Sequence, residues 1–273
     1  MVYESHGHAV TVAQEMPTLL GKGLAPGPRK LARLDRRERR VWCRAAAYLT
    51  LTHSLAEELA SRYGRRSGVY VVPDAARPAP HVPPLASGRF VAGYAGHLYP
   101  WKGVDVFVQA LAHAPGVHGL IVGGHPGEGD LDRVNRLVRS LGLESRVTIT
   151  GLVPPREVAA ALAWASVLVL PNTASAISDR YTSPLKLFEY LQMGRPIVAS
   201  NLAALREVLT DGVSALLVPP GDPRALGQAL LRLKNEPATA AALTASARAL
   251  APLYTWTARA EKIERALSAA QAS

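Results

Sequence analysis
The chain has 273 residues, enough for one large or two medium domains, and 48% of them are hydrophobic, which excludes a disordered protein. Its net charge of +10 leaves three charge-matched partner classes: nucleic acid, an anionic membrane surface, or acidic small molecules. The single cysteine, Cys43, excludes an internal disulfide and a multi-cysteine metal site; no apolar run reaches membrane-spanning length and no signal-peptide pattern opens the chain, so a cytoplasmic protein is expected.

Residues 1–5 read as a strand, with His6-Gly7-His8 at its carboxyl end, where ligands gather in open α/β sheets. Residues 12–20 read as a short helix, 21–28 as a Gly/Pro loop and 29–44 as a long basic helix. From Lys22 to Arg44 nine Lys and Arg stand against two acids, Asp35 and Glu38. A solvated helix face fits this run, and so does a patch for the inner face of an anionic membrane. Nucleic acid ranks last, because no aromatic residues interleave with the charge. Strands at 45–52 and 68–72 flank a helix at 54–63 that Gly64 stops. This β-α-β-α-β order predicts parallel pairing through right-handed crossovers.

The Pro/Ala-rich stretch that follows reads as a semi-rigid linker. A second alternation then runs to completion, with strands at 90–95, 117–122, 147–150, 167–170, 197–200 and 215–218. Helices are expected at 104–112, 131–141, 155–164, 184–193, 203–210 and 223–234, and a helical tail at 239–270 breaks near Pro252. Such alternation predicts a doubly wound parallel sheet. The expected organisation is an α/β protein with a partial first domain (1–75), a linker (76–88), a nucleotide-binding domain (89–236) and helices that pack back toward the first domain (237–273).

The chemistry centres on residues 179–207. Ser183 is placed to cap a helix, Pro184 suits its first turn, and Leu185, Phe188 and Leu191 face inward. Gly194 stops the helix before an apolar strand. A helix tip at a strand's carboxyl end attracts anions. Glu189, one turn inside, suits the hydroxyl-bearing part of the same ligand, and the pair describes a nucleotide. The loop GYAGHLYPWKG (93–103) puts Lys102 beside another helix start, suited to phosphate. Gly123-Gly124 and Gly151-Leu152-Val153 end the next two strands at the same sheet edge. The sequence shows no Walker loop, nucleophile elbow or His-Glu-x-x-His motif.

The segments SPLKLFEYLQMGRPIVASNLAALREVL, GYAGHLYPWKG and VYESHGH resemble the family-four retaining glycosyltransferases of the GT-B fold. The resemblance implies a donor diphosphate at Gly96, Lys102 and the helix tip Ser183-Pro184-Leu185, with ribose held by Glu189 and the nucleobase near Leu152 and Val153. It implies that His6 contacts the transferred sugar across a cleft. Two positions depart from the family pattern: His97 stands where an Arg usually meets the diphosphate, and Tyr181 where a Glu usually meets the sugar, with Asp179 a nearby substitute. The implied activity is retaining hexosyl transfer from a nucleoside-diphosphate sugar to a sugar or lipid-linked acceptor, with no metal and no further cofactor. The alternatives are an inactive donor-binding subunit, a sugar-nucleotide epimerase of the same fold, and a basic membrane adaptor. Relatives have further elements before the point matching Met1, so a fragment, or a chain completed by a partner or second copy, is also expected.

Overall fold
The computed structural model describes residues 1–21, 23–78, 88–127 and 129–271. Most of the expected linker, residues 79–87, and Lys22 of the basic run lie outside them. The first unit is β1 (Val2–Ser5), α1 (Ala9–Leu19), α2 (Pro28–Arg44), β2 (Ala47–Thr50), α3 (His53–Tyr63) and β3 (Val69–Val71), with the strands parallel in the order β1-β2-β3. Helix α3 starts where the Thr52 hydroxyl accepts the Leu55 N–H, and it ends at Gly64, whose φ of 92° suits glycine. Its inner residues, Leu55 and Leu59, pack with Trp42, Tyr48 and Tyr181.

The second unit alternates strictly: β4 (Phe90–Ala95), α4 (Val104–Ala112), β5 (Val117–Val122), α5 (Gly129–Ser140), β6 (Val147–Ile149), α6 (Pro155–Leu162), β7 (Val167–Leu170), α7 (Leu185–Met193), β8 (Ile197–Ser200), α8 (Ala203–Arg206), β9 (Leu216–Val218) and α9 (Pro223–Asn235). Every strand pair is parallel and the sheet order is β6-β5-β4-β7-β8-β9. The order reverses between β4 and β7, and connections diverge there to open a crevice at the carboxyl ends. Buried side chains fill both faces, with Phe107 of α4 on one and Phe188 of α7 on the other. Each such ring contributes about 2–3 kcal/mol of apolar burial. The doubly wound α/β fold is as expected.

Helices α10 (Pro237–Leu250) and α11 (Trp256–Gln271) close the chain. Helix α11 returns to the first sheet, where Ala266 packs on Leu49 and Val72, and Arg259 meets Glu4 at 2.6 Å and the Pro73 carbonyl at 3.2 Å. Further bonds join the two units. Glu207 accepts from the N–H groups of His53 (2.6 Å) and Ser54 (2.9 Å) and from the Ser54 hydroxyl, which caps α3 from the far unit. Glu58 accepts from Arg180 at 2.8 Å and from the Tyr181 hydroxyl at 2.7 Å.

Four local expectations change. Leu185, expected to face inward with Phe188 and Leu191, is 48% exposed at the first position of α7. The helix expected at 203–210 is the single turn 203–206, because the next residues turn back to place Asp211 on the Leu217 N–H. Pro184, rather than Ser183, caps α7, and the Ser183 hydroxyl instead accepts the Asp74 N–H at 2.8 Å. Residues 177–181, read as loop, form a π-helical turn whose first N–H is taken by Glu15 and whose last side chain reaches Glu58.

Candidate active site
The loop after β4 is built to let other groups approach. Gly96 has φ +140°, and a Cβ there would lie 2.1 Å from Lys186 Cε and 2.4 Å from Nζ, so a side chain at this position would push the lysine's end aside. Gly103 has φ +75°, and its Cβ would lie 1.7 Å from the Pro171 carbonyl oxygen at the end of β7. This contact, with the Thr173 N–H and hydroxyl both donating to Trp101 O, fastens the β4 and β7 loops together at the switch point. Lys102 ends a 3-10 turn (Pro100–Lys102) directly before α4. Its ammonium lies 3.6 Å from the centre of the Trp101 ring, whose indole N–H is buried without an acceptor.

Lys102, from the turn before α4, and Lys186, from the first turn of α7, therefore converge from opposite sides of the switch point. Burial, and then the charge of Lys186, pulls the Lys102 pKa from 10.5 down to about 7. Burial also lowers Lys186, against a smaller opposing pull from Glu189. Among the described residues neither ammonium has a hydrogen bond or an ion pair. Two half-buried cations without a counter-anion are costly, and a bound anion would remove the cost. Glu189 is exposed, three residues along α7 from Lys186 and hence on the same helix face, with its charge felt by that lysine. The backbone of His97 accepts the Tyr94 hydroxyl at 2.6 Å, and its exposed ring stacks on Tyr99.

The other expected site residues lie apart from this pair or are engaged elsewhere. His6 sits at the carboxyl end of β1, 67% exposed, 3.0 Å from Glu4 Oε1, and lines a cavity of about 330 Å³ with Ser5, Arg37 and Glu38. No hydrogen bond or ion pair joins it to Lys102, Lys186 or Glu189. The neighbouring His8 is buried between Thr11 and Tyr63, and burial lowers its pKa. Asp179 accepts the Ala203 N–H at 2.8 Å and so caps α8. The Tyr181 ring is buried beneath Gly7, with its hydroxyl on Glu58. Leu152 is 66% exposed just past Gly151, which bridges to Gly123, and Val153 is packed on the core. Ser183 and Pro184 line a separate cavity of about 140 Å³ with Glu207 and Lys262.

Lys186 was not singled out from sequence, yet a signal was present. A cation in the first turn opposes the helix dipole, so a lysine there asks for an external reason. Glu58 and Glu207, which join the units, have no local signal at all.

A family model described as Glycosyl transferases group 1 matches residues 89–236. The chain is 30% identical over 244 residues to the D-inositol 3-phosphate glycosyltransferase of Streptosporangium roseum, covering 81% of this chain and 54% of that protein. It is 30% identical over 149 residues to the amylovoran biosynthesis glycosyltransferase AmsK of Erwinia amylovora, covering 54% of this chain and 37% of that one. The chain thus spans between about a seventh and three fifths of the length of the curated relatives it matches. Among solved structures it resembles sucrose-phosphate synthase from Thermosynechococcus elongatus (TM-score 0.77, 23% identity, 97% of this chain and 66% of that one). It also resembles Anabaena HepE in complex with UDP (TM-score 0.79, 21% identity, 98% and 71%).

Proposed function
The chain belongs to the group 1 glycosyltransferases, and from that membership we propose that it moves a hexose from a nucleoside-diphosphate sugar to an acceptor hydroxyl with retained anomeric configuration. The observation that supports this most is the pair Lys102 and Lys186, two depressed lysines converging without an anion at the switch point. A donor diphosphate supplies the missing charge. As the bond between the anomeric carbon and the phosphate oxygen breaks, negative charge gathers on the departing diphosphate, where both ammonium groups and the first N–H groups of α7 are most effective. The acceptor oxygen bonds to the anomeric carbon on the same face, and its proton passes to the departing phosphate oxygen. Glu189 accepts from the ribose hydroxyls, and His6 orients the sugar. UDP is bound by a structural neighbour, and a UDP-sugar is the first donor to test.

The proposal is tested with Lys186→Met, Lys102→Met and Glu189→Ala. Each is expected to lower donor turnover about 100-fold or more, as loss of one charge-stabilising contact does at such sites. Turnover at the wild-type rate in either lysine variant would remove the assigned roles. A second reading is a donor-binding subunit without activity of its own. It is favoured by Tyr181, which occupies the position of the family's sugar-contacting Glu and is committed to Glu58. Donor titration combined with an assay for released nucleotide separates the two, since binding without release favours the second.

A further inference from the structure
Helix α2 carries eight basic and two acidic side chains, more than half of the chain's net charge of +10. Both acids face inward and are in use. Asp35 accepts the Tyr63 hydroxyl at 2.8 Å, and buried Glu38 accepts the Ala9 N–H at 2.8 Å. The Trp42 indole, donating to Gly64 O at 2.9 Å, holds the same inner face to α3. Arg29, Lys30, Arg33, Arg36, Arg37, Arg39, Arg40 and Arg44 are all exposed. At 3.6 residues per turn they occupy about half of the helix circumference, opposite the acids, along a strip of about 25 Å. None has an ion-pair partner among the described residues.

Such a strip opposes its own folding. Arg29 and Arg33, Arg36 and Arg40, and Arg40 and Arg44 are like-charged neighbours at i and i+4, each pair unfavourable, with no interleaved Glu to relieve it. An external anionic surface relieves all of them together. Four residues before the helix, the apolar side chain of Leu24 is 94% exposed. No aromatic side chain of α2 is exposed for base stacking, because its one aromatic residue, Trp42, is buried. Cations with an exposed leucine match a lipid interface better than a nucleic acid.

We propose that the outer face of α2, led by Leu24, docks this protein on an anionic lipid surface. The docking does not depend on the transferase reading, because α2 belongs to the first unit and Lys102 and Glu189 to the second.

The test is co-sedimentation of the full chain with vesicles of phosphatidylcholine alone or mixed with phosphatidylglycerol, without nucleotide. Binding is expected only to the anionic vesicles and is expected to fall as salt rises. At roughly fivefold per engaged basic side chain, the quadruple variant R29Q/R33Q/R36Q/R40Q should lose about 100-fold or more in partitioning. Leu24→Ser, which leaves the helix untouched, should lose about tenfold. An environment-sensitive dye on Cys43, the single cysteine and exposed on the same strip, should shift to the blue only with anionic vesicles. Equal partitioning to both vesicle types, no binding to anionic vesicles, or a quadruple variant that binds like wild type overturns the proposal. Tight oligonucleotide binding without vesicle binding also overturns it and reassigns the face to nucleic acid.

Discussion
Raising the pH through 7 should weaken donor binding by way of Lys102. In the unliganded protein its pKa is about 7, pulled down from 10.5 by burial and by Lys186. A bound diphosphate favours the ammonium and returns the pKa toward its ordinary value, so binding takes up a proton wherever the free lysine has lost one. Well below pH 7 the lysine is charged in both states and affinity is flat. Above that value affinity should fall by about tenfold per pH unit, or about 1.4 kcal/mol, until the pKa of the complex is reached. A nucleoside-diphosphate sugar is a phosphate diester with no phosphate proton to exchange near neutrality, so the uptake belongs to the protein. Calorimetric titration at about pH 8, in two buffers of different ionisation enthalpy, should report an uptake of about 0.9 proton from this group. Lys186, also lowered, adds to the total. The decisive quantity is therefore the difference between wild type and Lys102→Arg, whose guanidinium stays charged. An equal uptake in both proteins, with affinity flat across this range, would refute the reasoning. The unliganded fold should behave oppositely. A lysine with a depressed pKa makes folding more favourable as pH rises from about 7 toward 10.5, because the unfolded chain then binds the extra proton.

Glu38 gives the reverse sign: burial raises its pKa to about 7, so its contribution to stability is complete below about 4.5 and lost as pH rises through 7. Glu38→Gln should therefore match wild type in acid and exceed it by about 3 kcal/mol at pH 8 in urea titrations, and no pH-dependent gap would count against this. Gly103→Ala should destabilise by about 3 kcal/mol or more or yield insoluble protein. Gly212→Ala, at a similar φ of +70° but with open space around its Cβ, should cost only about 1 kcal/mol; equal costs would show that the Pro171 contact is irrelevant. Glu207→Ala removes three hydrogen bonds from the first turn of α3 and should lower the unfolding free energy by about 1–3 kcal/mol, measured by chemical denaturation, whereas Glu207→Gln should recover part of it.

The basic strip and the lysine pair divide the chain's excess charge between two tasks. On α2 the cations stand in water and act together as a field. At the switch point two cations are half-buried, and burial, joined at Lys102 by the charge of Lys186, turns each into a group that titrates in response to a ligand. The first kind of site is salt-sensitive and the second is pH-sensitive, so ionic strength and pH should separate surface docking from donor binding in one preparation.

The alternation of strands and helices was legible in the sequence because its causes are local. Short apolar runs such as those at 167–170 and 197–200 have no room to be helices, and Gly64 and Gly194 end helices through left-handed or otherwise glycine-suited backbone. The nucleotide-type loop at 93–103 and the helix carrying Glu189 were likewise visible as spacing. The sheet order was not, since the return from β6 across β4 to β7 is set by which apolar faces find each other at long range. Without that order nothing says that Lys186 of α7 lies over Gly96 of the loop after β4. The π-helical turn at 177–181 was invisible for a similar reason: Glu15 and Glu58, more than a hundred residues away, hold it. Asp179 and Tyr181 are drawn by those contacts toward α8 and Glu58. The sequence by itself determined the elements and the chemical character of their ends, because propensity and periodicity act over a few residues. Only the tertiary structure decided which ends meet, because burial and unpaired charge depend on neighbours that the order of residues does not name.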